Sequence, residues 1–251
     1  MILSTCKMDN RFDIQFEGGA VAVALRAEAG SPLPQVLDQL GLVKKQPVLV
    51  VVGGAGKLSR EDQAQVRSLF VKVLAPLAEA LGAAVIDGGT DAGIMRMMGQ
   101  ARRRTRSRFP LVGVAPECMA ILPGSSAAHA DAAPLEPNHT HFVLVPGTYW
   151  GDESIWIAQL ASVLSDGLPS LTVLINGGEV TWNDASQNVG QGRPLLVIAG
   201  SGRTADALAA ALEGKITDER ARRIVASGLM QSVDLRSSED LARIIHEMLS
   251  A

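Results

Sequence analysis

Aromatic side chains are scarce in this chain of 251 residues: Phe, Trp and Tyr together make 4% of it. Its hydrophobic residues, 47% of the total, are therefore mostly Val, Leu, Ile and Ala. An aliphatic core of that kind suits a parallel α/β sheet better than an aromatic-rich antiparallel barrel. Cysteine is nearly absent. Cys6 and Cys118 cannot build a disulfide framework, which fits a reducing compartment. No apolar run approaches the ~18 residues of a membrane-spanning helix. Residues 1–13 hold no long apolar stretch of the signal-peptide kind, so the expectation is a soluble cytoplasmic protein with no membrane span. An excess of positive charge is missing too: the formal net charge is -3, which gives no overall attraction to nucleic acid. The one cationic cluster is Arg102-Arg103-Arg104 with Arg106 and Arg108. No aromatic platform accompanies it, so it reads as a solvated helix end that suits the negative pole of the dipole. A role in holding an anionic partner or ligand tail is the alternative.

What the chain does have is four apolar runs that each end in a glycine turn. Val48 to Val52 runs into Gly53-Gly54-Ala55-Gly56, and Ala83 to Ile86 into Asp87-Gly88-Gly89-Thr90. Phe142 to Val145 runs into Pro146-Gly147-Thr148, and Leu195 to Ala199 into Gly200-Ser201-Gly202-Arg203. A short apolar run without alternation reads as a strand buried on both faces. Glycine at its carboxyl end lets the backbone turn tightly and approach a ligand, and a helix beginning beyond it adds free N–H groups. Four such turns on one edge of a parallel sheet form a crevice suited to phosphate or ribose.

The order of elements gives the same reading. Phe12, Ile14 and Phe16, then Val21, Val23 and Leu25, alternate about Gly18-Gly19 as a β-hairpin, and residues 29–46 form a connector with a short helix from Pro34 to Leu40. From Pro47, strands at 48–52, 83–87, 111–115, 141–145, 171–175 and 194–199 alternate with helices at 60–81, 92–104, 153–165, 180–189 and 204–212. Residues 117–140 read as a long loop, and helices at 217–227 and 238–250 close the chain. The expected architecture is a Rossmann-like, doubly wound parallel sheet with an N-terminal β-hairpin and C-terminal helices. Its divisions are residues 1–46, 47–213 and 214–251.

The turns differ in what they carry. Gly53-Gly54-Ala55-Gly56-Lys57-Leu58-Ser59 is too short for a P-loop and has Leu58 between Lys57 and Ser59. It also departs from the Gly-x-Gly-x-x-Gly dinucleotide fingerprint. The candidate ligand contacts here are Gly53, Gly54, Ala55 and Lys57. In the second turn Gly88, Gly89, Thr90 and Asp91 offer N–H donors, with Thr90 or Asp91 as the helix N-cap; Met95, Met97 and Met98 read as helix packing. Gly147 and Thr148 are candidates in the third turn. Glu153 follows at a helix start, either a dipole-stabilised carboxylate or a group acting on ribose or a glycosidic bond. Gly178 and Glu179 are candidates after strand 171–175. In the fourth turn Gly200, Ser201, Gly202 and Arg203 are candidates, Arg203 clamping a phosphate or pairing with Asp206. His139 and His141, one residue apart with no third ligand near, read as polar residues ordering a loop before a strand; no metal site is expected.

Together, the stretches Val51 to Lys57, Ile86 to Gly99, Leu111 to Pro116, Leu135 to Thr148, Leu174 to Glu179 and Gly200 to Asp206 resemble the SLOG superfamily. More narrowly they resemble the SLOG, or LSDAT, domain at the cytoplasmic N-terminus of melastatin-type transient receptor potential channels, in its prokaryotic standalone form. The Pro137-Asn138-His139-Thr140-His141-Phe142 run is the most distinctive part. The resemblance covers residues 47–212 and implies a Rossmann-like sensor domain that binds a nucleotide derivative. ADP-ribose, cyclic ADP-ribose and NAD are the leading ligands, with no cofactor required. It also leaves room for a second copy of the chain or an effector protein as partner, or for an interaction module whose glycine turns are structural alone. A more distant branch, the Lonely Guy phosphoribohydrolases, carries a Pro-Gly-Gly-x-Gly-Thr loop followed by a catalytic Glu. Pro146-Gly147-Thr148 with Glu153 resembles it in part, with the second glycine and the spacing lost and no counterpart of the branch's catalytic Arg. That branch implies N-glycosidic-bond hydrolysis with Glu153 as the acting carboxylate.

Overall fold

The computed structural model describes residues 10–56, 58–215 and 218–250. The hairpin is β1 (Arg11–Gln15) and β2 (Val21–Arg26), and α1 (Leu33–Gln39) follows. Next comes β3 (Val48–Gly53), then one long helix in three pieces: α2 (Arg60–Leu69), a π turn at Phe70–Leu74, and α3 (Ala75–Ala80). In the π turn the Ala75 N–H reaches back five residues to the Phe70 carbonyl, immediately before Pro76. Proline has no N–H for the usual i−4 bond, and the wider turn absorbs that gap. β4 (Ala84–Asp87), α4 (Gly93–Thr105) and β5 (Leu111–Pro116) come next. The long loop contains two very short strands, β6 (Ala120–Ile121) and β7 (Ala133–Pro134), before β8 (His141–Val145). The chain continues through α5 (Ser154–Ser165), β9 (Ser170–Ile175), α6 (Glu179–Gly190), β10 (Leu195–Ala199), α7 (Arg203–Leu212) and α8 (Glu219–Ala226). β11 (Met230–Asp234) and α9 (Ser238–Ser250) end it.

Among the described residues nine strands form one sheet in the order β1-β2-β8-β5-β4-β3-β9-β10-β11. All pairings are parallel except that of β1 with β2. One face is covered by α1, α5, α6, α7 and α8, the other by α2, α3, α4 and α9. The central strands bury nearly every residue, as their unbroken apolar runs require. The fold is therefore the expected α/β Rossmann-like one.

One element differs from the sequence reading. Met230–Asp234, expected as a connector between helices, is the last strand of the sheet, parallel to β10. At the sheet edge it buries Met230 and Val233 and leaves Gln231 and Asp234 exposed, so no apolar run announces it. The first hairpin extends the main sheet, because β2 pairs with β8 from Val23–His141 to Arg26–Leu144. One buried cation was not foreseen. Arg193 is 2% exposed and lies between α5 and α6, where its guanidinium donates to Asn188 Oδ1 at 2.5 Å, the Ala158 carbonyl at 3.0 Å and Ser162 Oγ at 2.8 Å. Burial lowers it to about 10.

At the carboxyl edge β4 packs closely on β5. Gly89 has φ +68, and a Cβ there would lie 2.7 Å from Gly113 Cα and 3.1 Å from the Phe142 ring. Gly89→Ala is therefore expected to lower the unfolding free energy by about 2–4 kcal/mol, from left-handed strain and overpacking together. Urea unfolding measures it, and an unchanged midpoint would mean that this contact relaxes without penalty.

Candidate functional site

β3 and β9 are neighbours whose chain connections leave in opposite directions, towards β4 on one side and β10 on the other. Such a switch opens a crevice beyond the carboxyl ends of the strands. Here it holds a cleft of about 280 Å³. Its floor is Val51, Val52 and Gly53 of β3; Gly88, Thr90, Ala92 and Met95 form the β4–α4 wall. Glu153 and Ile157 come from α5, and Val180, Thr181 and Asp184 from α6, with Trp150 and Ala133 at the edge. The Trp150 indole N–H donates to the Asp131 carbonyl at 3.1 Å, tying the long loop across this edge.

Two acids meet in the cleft. Glu153 is the N-cap residue of α5, 6% exposed, and its Oε2 accepts from the Gly151 N–H at 2.7 Å. Burial lifts it to about 7; Asp184 and Asp152 nearby add to the rise, and backbone N–H groups pull the other way. Asp184 is lifted by burial to about 6, opposed by the Ser154 hydroxyl, which donates to its Oδ1 at 2.5 Å. Among the described residues neither acid has a cationic partner. Acids buried without counter-charge are expensive, and such pairs concentrate at functional sites. Asp184 was missed by the sequence reading. It lies on the same helical face as Val180 and Thr181, but only the packing of α6 decides that this face meets the cleft.

The sequence-chosen residues divide into groups. Gly53, Gly88, Thr90 and Glu153 line the cleft. Gly54 and Ala55 border it, against the start of α4; a Cβ on Gly93 would come 3.4 Å from the Ala55 N. Lys57 lies outside the described residues, as does Cys6. Arg203, exposed and at φ +53, lays its guanidinium beside Gly56 and Gly178. The alternative pairing of Arg203 with Asp206 is not formed: Asp206 accepts from the Gly200 N–H at 2.7 Å, closing the turn that starts α7. Gly202 is the N-cap residue of α7. The Ser201 hydroxyl accepts from Asn176 N at 2.7 Å and donates to the Ile198 carbonyl at 2.5 Å, so it is engaged within the protein.

The others turn elsewhere. The N–H groups of Thr148 and Tyr149 donate to Asp152 Oδ2, and Gly147 packs against the same side chain. Glu179 pairs with Arg220 of α8, whose guanidinium covers the Trp182 ring at 4.7 Å. Gly89 packs on Gly113. The expected N-cap of α4 is corrected: the cap is Ala92, with no side-chain bond, because Thr90 is drawn into a bridge with Leu135 and the chain stays extended through Ala92. Asp91 instead pairs with Arg96 at 2.6 Å. In the arginine cluster, Arg102 is half-buried against Phe109, donating to its carbonyl at 2.8 Å, while Arg103, Arg104, Arg106 and Arg108 are exposed.

His139 and His141 do not share a strand face as a His-x-His on β8 would, because β8 begins only at His141. His139 is buried between two acids, Nε2 2.9 Å from Asp87 Oδ1 and Nδ1 2.9 Å from Glu136 Oε2, with its ring stacked on Phe142. Burial by itself would lower its pKa; Asp87 and Glu136 more than offset that and raise it to about 9. His141 goes the other way, to about 4, through burial and the nearby Arg102. The cationic His139 therefore stabilises the fold fully below the unfolded value of about 6.5, and that contribution disappears as pH rises through about 9. The stability gap between the native chain and His139→Gln is expected to shrink by on the order of 3 kcal/mol between about pH 6 and about pH 10. Urea unfolding at the two pH values measures the gap, and a constant gap would mean that His139 is neutral in the fold.

The comparisons agree with this architecture. The prokaryotic family described as SLOG in TRPM matches residues 46–243. The chain is 26% identical over 208 residues to transient receptor potential cation channel subfamily M member 2 of Mus musculus, covering 67% of this chain and 13% of that protein. It is 27% identical over 237 residues to the transient receptor potential cation channel trpm of Drosophila melanogaster, covering 78% of this chain and 12% of that one. The chain thus spans about an eighth of these relatives, and no helix among its described residues is long and apolar enough to cross a membrane. In fold it is similar to the X-ray structure of the structural-genomics target TM1055, with a TM-score of 0.54 at 21% identity, over 80% of this chain and 99% of that one. With 198 of its residues matched, this chain belongs to the family of prokaryotic SLOG domains related to those of melastatin-type channels.

Proposed function

We propose that the cleft binds a nucleotide derivative, with ADP-ribose, cyclic ADP-ribose and NAD as the leading candidates, and that the protein acts as a ligand sensor. The coarser statement, a nucleotide-related domain, rests on the family and the fold. The observation that carries the finer reading is the cleft itself, at the switch point between β3 and β9, where Gly53 and Gly88 bring backbone to the surface beside buried acids. The cleft and its surroundings suit different parts of a nucleotide. The acids at the inner end repel phosphate and offer partners to sugar hydroxyls or a base. Arg203, which does not line the cleft but lies over Gly56 and Gly178 next to the start of α6, suits a phosphate.

A second reading is favoured by Glu153. A carboxyl group that titrates near 7 beside another acid is suited to protonating the leaving base of an N-glycosidic bond. Product analysis after long incubation with NAD or nucleoside monophosphates separates the two. Free base in the products supports hydrolysis, and intact substrates leave sensing.

Isothermal calorimetry with ADP-ribose, cyclic ADP-ribose, NAD and AMP tests the binding directly; silence from all four up to millimolar concentration removes the proposal. Arg203→Ala is expected to weaken binding by about 1.5–3 kcal/mol, the range for a hydrogen bond to a charged group. That is roughly a tenfold to hundredfold loss in affinity. The Tm should stay close to that of the native chain, because the side chain is exposed. Unchanged affinity in a folded Ala variant would place the phosphate elsewhere.

A further inference from the structure

We propose that the inner end of the cleft is a receptor for a cationic heteroaromatic ring, of the kind carried by the oxidised form of a nicotinamide dinucleotide, with Glu153 and Asp184 supplying the counter-charge. This rests on the nucleotide reading above and deepens it, since that reading leaves ADP-ribose and NAD on equal terms.

The argument starts from an imbalance. Glu153 on α5 and Asp184 on α6 face one small cavity, and Asp152 on the preceding turn adds to the same negative field. Elsewhere the buried ionisable groups are more fully engaged: His139 sets a cation between Asp87 and Glu136, and the Arg193 guanidinium donates to Asn188 Oδ1, the Ala158 carbonyl and the Ser162 hydroxyl. Among the described residues the cleft acids are met by hydrogen bonds and by no cation: the Gly151 N–H donates to Glu153 and the Ser154 hydroxyl to Asp184. No Lys, Arg or His is among the described lining residues. The remaining walls are flat or soft: Trp150, Met95, Val52, Ile157 and Val180. An apolar slot with two acids and an indole at its edge is built for a group that is both flat and positive. A phosphate is rejected by the acids, and a neutral ring leaves both of them without counter-charge.

The same geometry sets a proton balance. With the cleft empty, both acids hold protons more tightly than free carboxyls, Glu153 to about 7 and Asp184 to about 6. A bound cation favours their ionised forms, so binding releases protons and strengthens as pH rises. A neutral ring that only desolvates the acids favours their protonated forms, so it releases no protons.

The test compares ligands that differ in the charge of one ring. Calorimetry on the full chain is run with NAD⁺, NADH and ADP-ribose between about pH 6 and about pH 8, in two buffers of different ionisation enthalpy. NAD⁺ is expected to bind about tenfold or more tightly than NADH or ADP-ribose at the upper pH. Proton release should accompany NAD⁺ alone. Glu153→Gln and Asp184→Asn should each reduce the preference while the Arg203→Ala loss stays the same for all three ligands. Should either variant fail to fold, the proton release of the native chain decides. Equal affinities without proton release overturn the inference and leave nucleotide binding standing. If none of the three binds, nucleotide binding fails, and the ring is tested alone: tighter binding of the N-methylnicotinamide cation than of neutral nicotinamide supports the inference, and no difference overturns it.

Discussion

The carboxyl edge of this sheet depends on a buried cluster of charge. His139 bridges Asp87 at the end of β4 and Glu136 in the loop before β8. Asp87 Oδ1 also takes the Gly89 N–H at 2.7 Å, and the Glu136 N–H returns to the Gly89 carbonyl at 2.9 Å. The loop and the β4 turn are thereby locked to each other, with Thr90 bridged to Leu135 beside them. α4 is drawn in as well: a Cβ on Gly99 would fall 2.0 Å from Glu136 Oε2, so the helix can approach the carboxylate only through glycine. Three buried ionisable groups are tolerable because one imidazolium faces both carboxylates and N–H groups of Gly89 and Asn138 meet most of their oxygens. Removing one leaves the others uncompensated, which is why the wall of the cleft formed by Gly88, Thr90 and Ala92 depends on a histidine that does not line it.

The cleft follows the opposite rule. Glu153 sits at the start of α5 and Asp184 in the middle of α6, each held by hydrogen bonds, without a cation such as His139 provides a short way off. Natural proteins accept such local instability where a ligand completes the set. The surrounding sheet is stable enough to carry it, because β3, β4 and β5 are buried along nearly their whole length. Rigid strands place the glycine turns, and the helices of one face, α5 and α6, bring in the acids.

Much of the fold was legible because parallel strands covered on both sides must be unbroken apolar runs, and such runs stand out next to glycine. β11 was not legible, since an edge strand needs only a few buried side chains. The site was legible in part. Gly53, Gly88, Thr90 and Glu153 line the cleft and come from the turns that announced them. Gly147, Thr148 and Ser201 come from equally suggestive turns, but their donors or hydroxyls are taken up by Asp152, Asn176 and Ile198. A glycine turn is needed to bring backbone close to something, and the sequence does not say whether that is a ligand or the protein itself.

By itself the sequence determined what local rules control: the alternation of strand and helix, the aliphatic core, the edge on which the turns gather, and the family. Only the tertiary structure decided the charges. Asp184 in mid-helix, His139 in a loop and Glu153 at a helix start are ordinary residues in the linear chain. Their burial, and hence their protonation, comes from elements far apart in sequence that exclude water together. Desolvation depends on the whole surroundings of a group, and no window of neighbouring residues contains them.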